Sequence, residues 1–146
     1  MLRAAFIRTT YVLLTGLAAT ISRVTLCFLG THSLLSNGAM FARAGTATVA
    51  MMARERGVAV VCCCETYKFS ERVMVDSIVG NEMAAPRSLV DAIPVKDRPK
   101  QLFPLSLLYD VARPEDVTAL ITEAGIIPVE SVPIVLRDYK PIMLAS

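Results

Sequence analysis

Apolar residues along this chain fall mostly in short unbroken runs, and strict alternation is rare. That pattern suits strands covered on both faces, as in a parallel sheet with helices on each side. Residues 58–64 (Val-Ala-Val-Val-Cys-Cys-Cys) predict a buried strand, and residues 24–29 (Val-Thr-Leu-Cys-Phe-Leu) a second, stopped by Gly30. Residues 11–14 read as a third short strand ending near Gly16, with a short helix over 18–23. Between the two main runs, residues 39–56 hold no turn signal except Gly45. They predict a helix that begins near Asn37 or Gly38 and is stopped by Gly57. Its small residues, among them Ala42, Gly45, Thr46 and Ala50, allow close backbone approach, and only residues 54–56 look solvated. Strand, helix, strand in this order is a βαβ unit. The loops at 30–38 and 65–69 then lie at the carboxyl edge of the sheet, where ligands of such folds bind.

Further along, Pro86, Pro94, Pro99 and Pro104 with intervening charges mark residues 76–104 as a long loop. Regular structure returns over 105–111. A helix is expected from Pro114, with Glu115 and Asp116 at its positive end. Val117, Leu120, Ile121 and Ala124 follow at i, i+3, i+4 and i+7, and Gly125 closes the stripe. A last short element is expected over 131–137, and no internal repeat is visible.

Composition narrows the class. A chain of 146 residues has room for one domain and core, and 54% hydrophobic against 19% charged excludes a disordered tail. The net charge of +2, with few aromatics and no Lys/Arg run, leaves no nucleic-acid footprint. Cys27 and the run Cys62, Cys63, Cys64 do not have zinc-ligand spacing, and His32 is the only histidine, so no metal or cofactor is expected. In a strand Cys62 and Cys64 face one way and Cys63 the other. The bland reading is core thiols in a reduced, cytosolic protein. The first nineteen residues also carry the early arginines, short apolar stretch and small residues of a presequence, although the stretch is too short to span a bilayer.

Several ordered stretches together resemble one family. They are Gly30-Thr-His-Ser-Leu-Leu-Ser-Asn-Gly38, Gly45-Thr46, Val61-Cys-Cys-Cys-Glu-Thr-Tyr-Lys-Phe69, Leu108-Tyr-Asp-Val111 and Ile121-Thr-Glu-Ala-Gly-Ile-Ile-Pro128. The chain is similar to the shared C-terminal domain of the alpha, beta and delta regulatory subunits of eukaryotic initiation factor 2B. Residues 64–72 and the closing Ser131-Val-Pro-Ile-Val-Leu-Arg137 are nearest the delta branch. The resemblance covers residues 11–137 and implies an α/β, Rossmann-like parallel sheet flanked by helices. Residues 1–10 are then an N-terminal extension and 11–146 a partial domain, lacking the family's N-terminal helical region and first strands. A fragment or degenerate copy is expected, with an apolar sheet edge open where those strands belong. Within the family the stretch from residue 11 belongs to the folded domain, which weighs against a presequence.

The resemblance also frames the chemistry. It implies a regulatory, non-catalytic subunit that pairs with the beta subunit inside the exchange factor for initiation factor 2, with no direct contact to nucleic acid or membrane. The enzyme alternative is a sugar-phosphate isomerase of the methylthioribose-1-phosphate isomerase type. In those enzymes an acidic residue stands where this chain has His32, and the segment carrying the upstream cysteine is absent. His32, Asn37, Gly38, Gly45 and Thr46 are candidates for a vestigial phosphate pocket, because a glycine-lined helix start favours an anion. Small residues that merely permit tight packing are the competing explanation. Lys68 and Arg72 could add charge at the rim or form a solvated pair, and Glu65 and Glu71 do not compose an acid pair. Tyr67, Lys68 and Phe69 are candidates for a subunit interface.

Overall fold

The computed structural model describes residues 6–91 and 93–143, which build two four-stranded sheets around a shared helix. In chain order the strands are β1 (Leu26–Gly30), β2 (Ser33–Leu35), β3 (Met40–Arg43), β4 (Ala59–Cys63), β5 (Phe69–Ser70), β6 (Tyr109–Ala112), β7 (Ala119–Thr122) and β8 (Gly125–Ile127). The helices are α1 (Leu17–Thr20), α2 (Thr46–Glu55), α3 (Arg87–Val90) and α4 (Val132–Met143). The first sheet runs β1-β4-β7-β8, parallel across its first three strands and closed by the antiparallel β8. The second runs β5-β2-β3-β6 and is mixed.

The expected βαβ unit is present: β1 and β4 pair in parallel, Leu26 opposite Ala59 through Gly30 opposite Cys63. Between them the chain makes an excursion that the apolar pattern did not announce. Residues 33–35, expected in a loop, and residues 40–43, expected in a helix, form the antiparallel pair β2–β3. The helix begins only after Gly45 and ends, as expected, at Gly57, whose φ of 68° reverses the chain. Strand β3 reads like a helix start because Met40, Phe41 and Ala42 are all buried, so no alternation marks it.

Two other expectations are corrected. Residues 11–13 form no strand and are exposed, and Leu14–Gly16 is a 3-10 turn leading into α1. The helix expected from Pro114 is a single 3-10 turn, Pro114–Asp116, followed by the β7–β8 hairpin. Asp116 holds that turn. It is buried and accepts two bonds from Arg113, both at 2.9 Å, and a third from Arg54 of α2 at 3.2 Å. Among the described residues the long connection over 76–104 holds no strand, only α3, one 3-10 turn and a single antiparallel bridge from Met83 to Leu107.

One core joins the layers. Val60, Cys62 and Leu120 from the first sheet meet Leu34, Met40 and Ala112 from the second, with Ala50 and Ala53 of α2 in the same cluster. The opposite face of the first sheet is uncovered. Leu26, Phe28, Cys63 and Ile126 are exposed there, and β1 is an edge strand. An apolar face and the edge of β1 are thus open among the described residues.

Candidate functional site

The link between β1 and β2 places His32 at the carboxyl end of the parallel strands. Thr31 is buried beside it, its hydroxyl 2.7 Å from the Ser33 carbonyl and 2.8 Å from that of Phe41, donating to one at a time. The His32 amide donates to the Phe41 carbonyl at 2.9 Å, which fixes the start of the hairpin. The imidazole is exposed and lies 5.1 Å from the Tyr109 ring and 6.2 Å from that of Phe41. Phe41 and Tyr109 stack at 4.7 Å. Arg43 lies over Tyr109 at 5.6 Å and Arg72 over Phe41 at 5.8 Å, so a cation covers each end of the aromatic pair.

Two open depressions flank this ledge. One, of about 350 Å³, runs from His32 past Ser33 and Ser70 to Tyr67, Lys68 and Arg72. The other, of about 360 Å³, is lined by Gly30, His32, Arg43, Thr46 and Tyr109. Lys68 pairs with Glu65 at 2.7 Å, and that bond holds the Glu65 carboxyl below its usual range. The following turn is tied down by Glu123: the Thr66 amide lies 3.0 Å from each of its oxygens, and the Thr66 hydroxyl donates to it as well.

The start of α2 is where the sequence suggested a bound phosphate. Its orphan amides favour an anion, and the chain supplies one. Asp110 Oδ2 accepts from Gly45 N at 2.7 Å and from Ala47 N at 3.0 Å, while Asp110 Oδ1 is buried with no partner among the described residues. Thr46 Oγ1 donates to the Arg43 carbonyl at 2.6 Å and is likewise engaged. Asp110 was not foreseen, because its partners lie 63 and 65 residues away in sequence.

Of the candidate pocket residues, His32 and Thr46 share a depression, and Gly45 stands beside them with its amide committed to Asp110. Asn37 and Gly38 lie at the far end of the hairpin. Asn37 donates to the Met74 carbonyl at 3.0 Å and accepts from Ala39 N at 3.3 Å. A Cβ on Gly38 would meet Val129 Cγ1 at 2.7 Å, so packing accounts for that glycine. Of the interface candidates, Tyr67 is 68% exposed, but Phe69 belongs to the chain's own core. Among the described residues no group of three or more side chains could hold a metal ion.

Burial raises the Asp110 carboxyl above its ordinary value, against the pull of its two amide bonds. The folded state therefore binds this proton more tightly than the unfolded chain. Stability then falls as pH rises from the ordinary aspartate range through the raised value. Asp110→Asn is expected to remove that slope, measured as the urea midpoint across pH 4–7. Asp110→Ala, which loses both amide bonds, should cost about 1 kcal/mol.

The sequence model of the initiation factor 2 subunit family matches residues 1–129. The chain is 39% identical over 147 residues to translation initiation factor eIF2B subunit delta of Schizosaccharomyces pombe, covering 93% of this chain and 32% of that protein. It is 37% identical over 100 residues to ribose 1,5-bisphosphate isomerase of Pyrococcus furiosus, covering 68% of this chain and 31% of the enzyme. Among solved structures, the tetrameric eIF2B-beta2-delta2 complex from C. thermophilum superimposes with a TM-score of 0.67 at 33% identity, covering 82% of this chain and 35% of the matched one. The chain thus spans about a third of the length of these relatives.

Proposed function

Because the chain belongs to the initiation factor 2 subunit family, we propose that it is a delta-like regulatory segment of the guanine-nucleotide exchange factor for initiation factor 2, acting by subunit assembly. The observation that carries this reading is the 39% identity to a delta subunit across 93% of the chain. Its partners are the beta subunit first, then the remaining subunits and initiation factor 2 itself. Residues 11–146 act as one partial Rossmann-like unit after a short extension. The cytosol is the compartment that fits a translation factor, and no helix among the described residues is long and apolar enough to cross a membrane.

We read the chain as non-catalytic. The family holds isomerases as well as factor subunits, and the local chemistry supports the non-catalytic reading. Where the resemblance to the methylthioribose-1-phosphate isomerases implies an acid, this chain has His32, exposed and packed against Tyr109. The anion position at α2 is taken by Asp110. The ledge of His32, Tyr67, Lys68 and Arg72 is left as a relic of a ligand pocket or as contact surface.

Co-expression with a beta subunit, followed by size-exclusion chromatography and mass spectrometry, tests the proposal. Co-elution of the two chains is expected, together with weakened association for Tyr67→Ala. A chain that elutes alone removes the assembly reading. Turnover of a phosphorylated ribose that disappears with His32→Ala would replace it with the isomerase.

A further inference from the structure

We propose that Asn37 is a covalent modification site gated by the fold, where the side-chain amide is lost as ammonia and an aspartyl or isoaspartyl residue remains. The chain has two asparagines, Asn37 followed by Gly38 and Asn81 followed by Glu82. A glycine carries no side chain to shield its amide nitrogen. Gly38 N can therefore reach the Asn37 carboxamide, whereas the Glu82 side chain hinders the same attack on Asn81. Asn37 is exposed to solvent in the turn that joins β2 to β3.

The folded chain restrains both reacting groups. Gly38 N donates to the Leu35 carbonyl at 2.8 Å, and Asn37 Nδ2 donates to the Met74 carbonyl at 3.0 Å. Asn37 Oδ1 accepts from Ala39 N at 3.3 Å. Ring closure turns the backbone and side chain of Asn37, so these bonds must break first. Met74 sets the lock, because its side chain is buried with Leu35, Ala39 and Phe41 on either side of the turn. When the turn opens locally, Gly38 N bonds to Asn37 Cγ and the Cγ–Nδ2 bond breaks. The amide nitrogen leaves as ammonia, taking the proton from Gly38 N. One water then opens the cyclic imide at either carbonyl, with no change in oxidation state. The product is a carboxylate, ionised at neutral pH. It has no proton to donate to the Met74 carbonyl, so the lock does not re-form and the change runs one way.

The test incubates the whole chain at neutral pH in oxygen-labelled water and follows residue 37 by peptide mapping with mass spectrometry. Residue 37 is expected to gain a single labelled oxygen, at least about tenfold faster in denaturing guanidinium than in buffer. Asn81 should lag in denaturant, and Asn37→Gln, whose longer side chain closes the ring poorly, should stay unmodified. Met74→Ala should speed conversion in buffer but not in guanidinium, while Met74→Leu, which keeps the packing volume, stays slow. Circular dichroism confirms that both variants are folded. Asn37→Asp, standing for the product, should lower the urea midpoint. Equal rates at residue 37 in buffer and denaturant, conversion of Asn81 in step with Asn37, or a folded Met74→Ala no faster than the parent would each overturn the proposal.

Discussion

Leu120→Ala is expected to destabilise the chain by about 3 kcal/mol, while Ile121→Ala, one position on, should cost less than about 1 kcal/mol. The pair separates two readings of the same stretch. On a helix, Leu120 and Ile121 would share the buried stripe and both truncations would be severe. On β7 they face opposite sides of the sheet. Leu120 is fully buried, opposite Cys62 of β4 and Ile127 of β8. Ile121 lies on the uncovered face and is only half-buried. Removing Leu120 therefore leaves a cavity at the junction of three strands, which the surrounding core only partly collapses to fill. Urea unfolding of the two variants, with equal slopes, measures the difference. Similar losses at both positions would return residues 117–124 to a helix.

Gly38→Ala is expected to cost about 2–3 kcal/mol, from two separable causes. Gly38 has a φ of 81°, which a residue with a Cβ adopts only under strain, and the new methyl would lie 2.7 Å from Val129 Cγ1. Truncating Val129 as well relieves the clash and leaves the backbone strain. The double variant Gly38→Ala/Val129→Ala should therefore be less destabilised than the sum of the two single changes. Strict additivity would mean that the glycine is not held by Val129. The same experiment bears on the phosphate reading, because a glycine kept for ligand approach would lose binding on substitution and little stability.

Parts of the fold were legible because one signal dominated locally. The apolar run of β4 marked a strand, although only Val60 and Cys62 within it are fully buried, and Gly57 ends α2 where the pattern stops. Residues 117–124 misled because their spacing satisfies a helical stripe, while Gly125, taken as a helix stop, opens the second strand of a hairpin. The second sheet was invisible for a different reason. Its strands β2, β3 and β6 run three to four residues, and β3 is buried on both sides, so neither length nor alternation marks it. The site was half legible. His32 and Thr46 do share a depression. Asn37 and Gly38, close in sequence, are carried away by the hairpin, and Asp110 arrives from a strand far along the chain.

The shared core has a consequence for how the molecule comes apart. The chain passes from the first sheet to the second between β1 and β2, returns through α2, leaves again after β4 and comes back through the turn at Pro114–Asp116. Helix α2 touches β1 and β4 of the first sheet and β3 and β6 of the second. Peeling away either sheet would uncover part of that helix, and loss of the second, which carries Asp110 on β6, would also release the amides that Asp110 holds. Neither sheet can then melt ahead of the other, and the two behave as one cooperative unit despite having separate hydrogen-bond ladders.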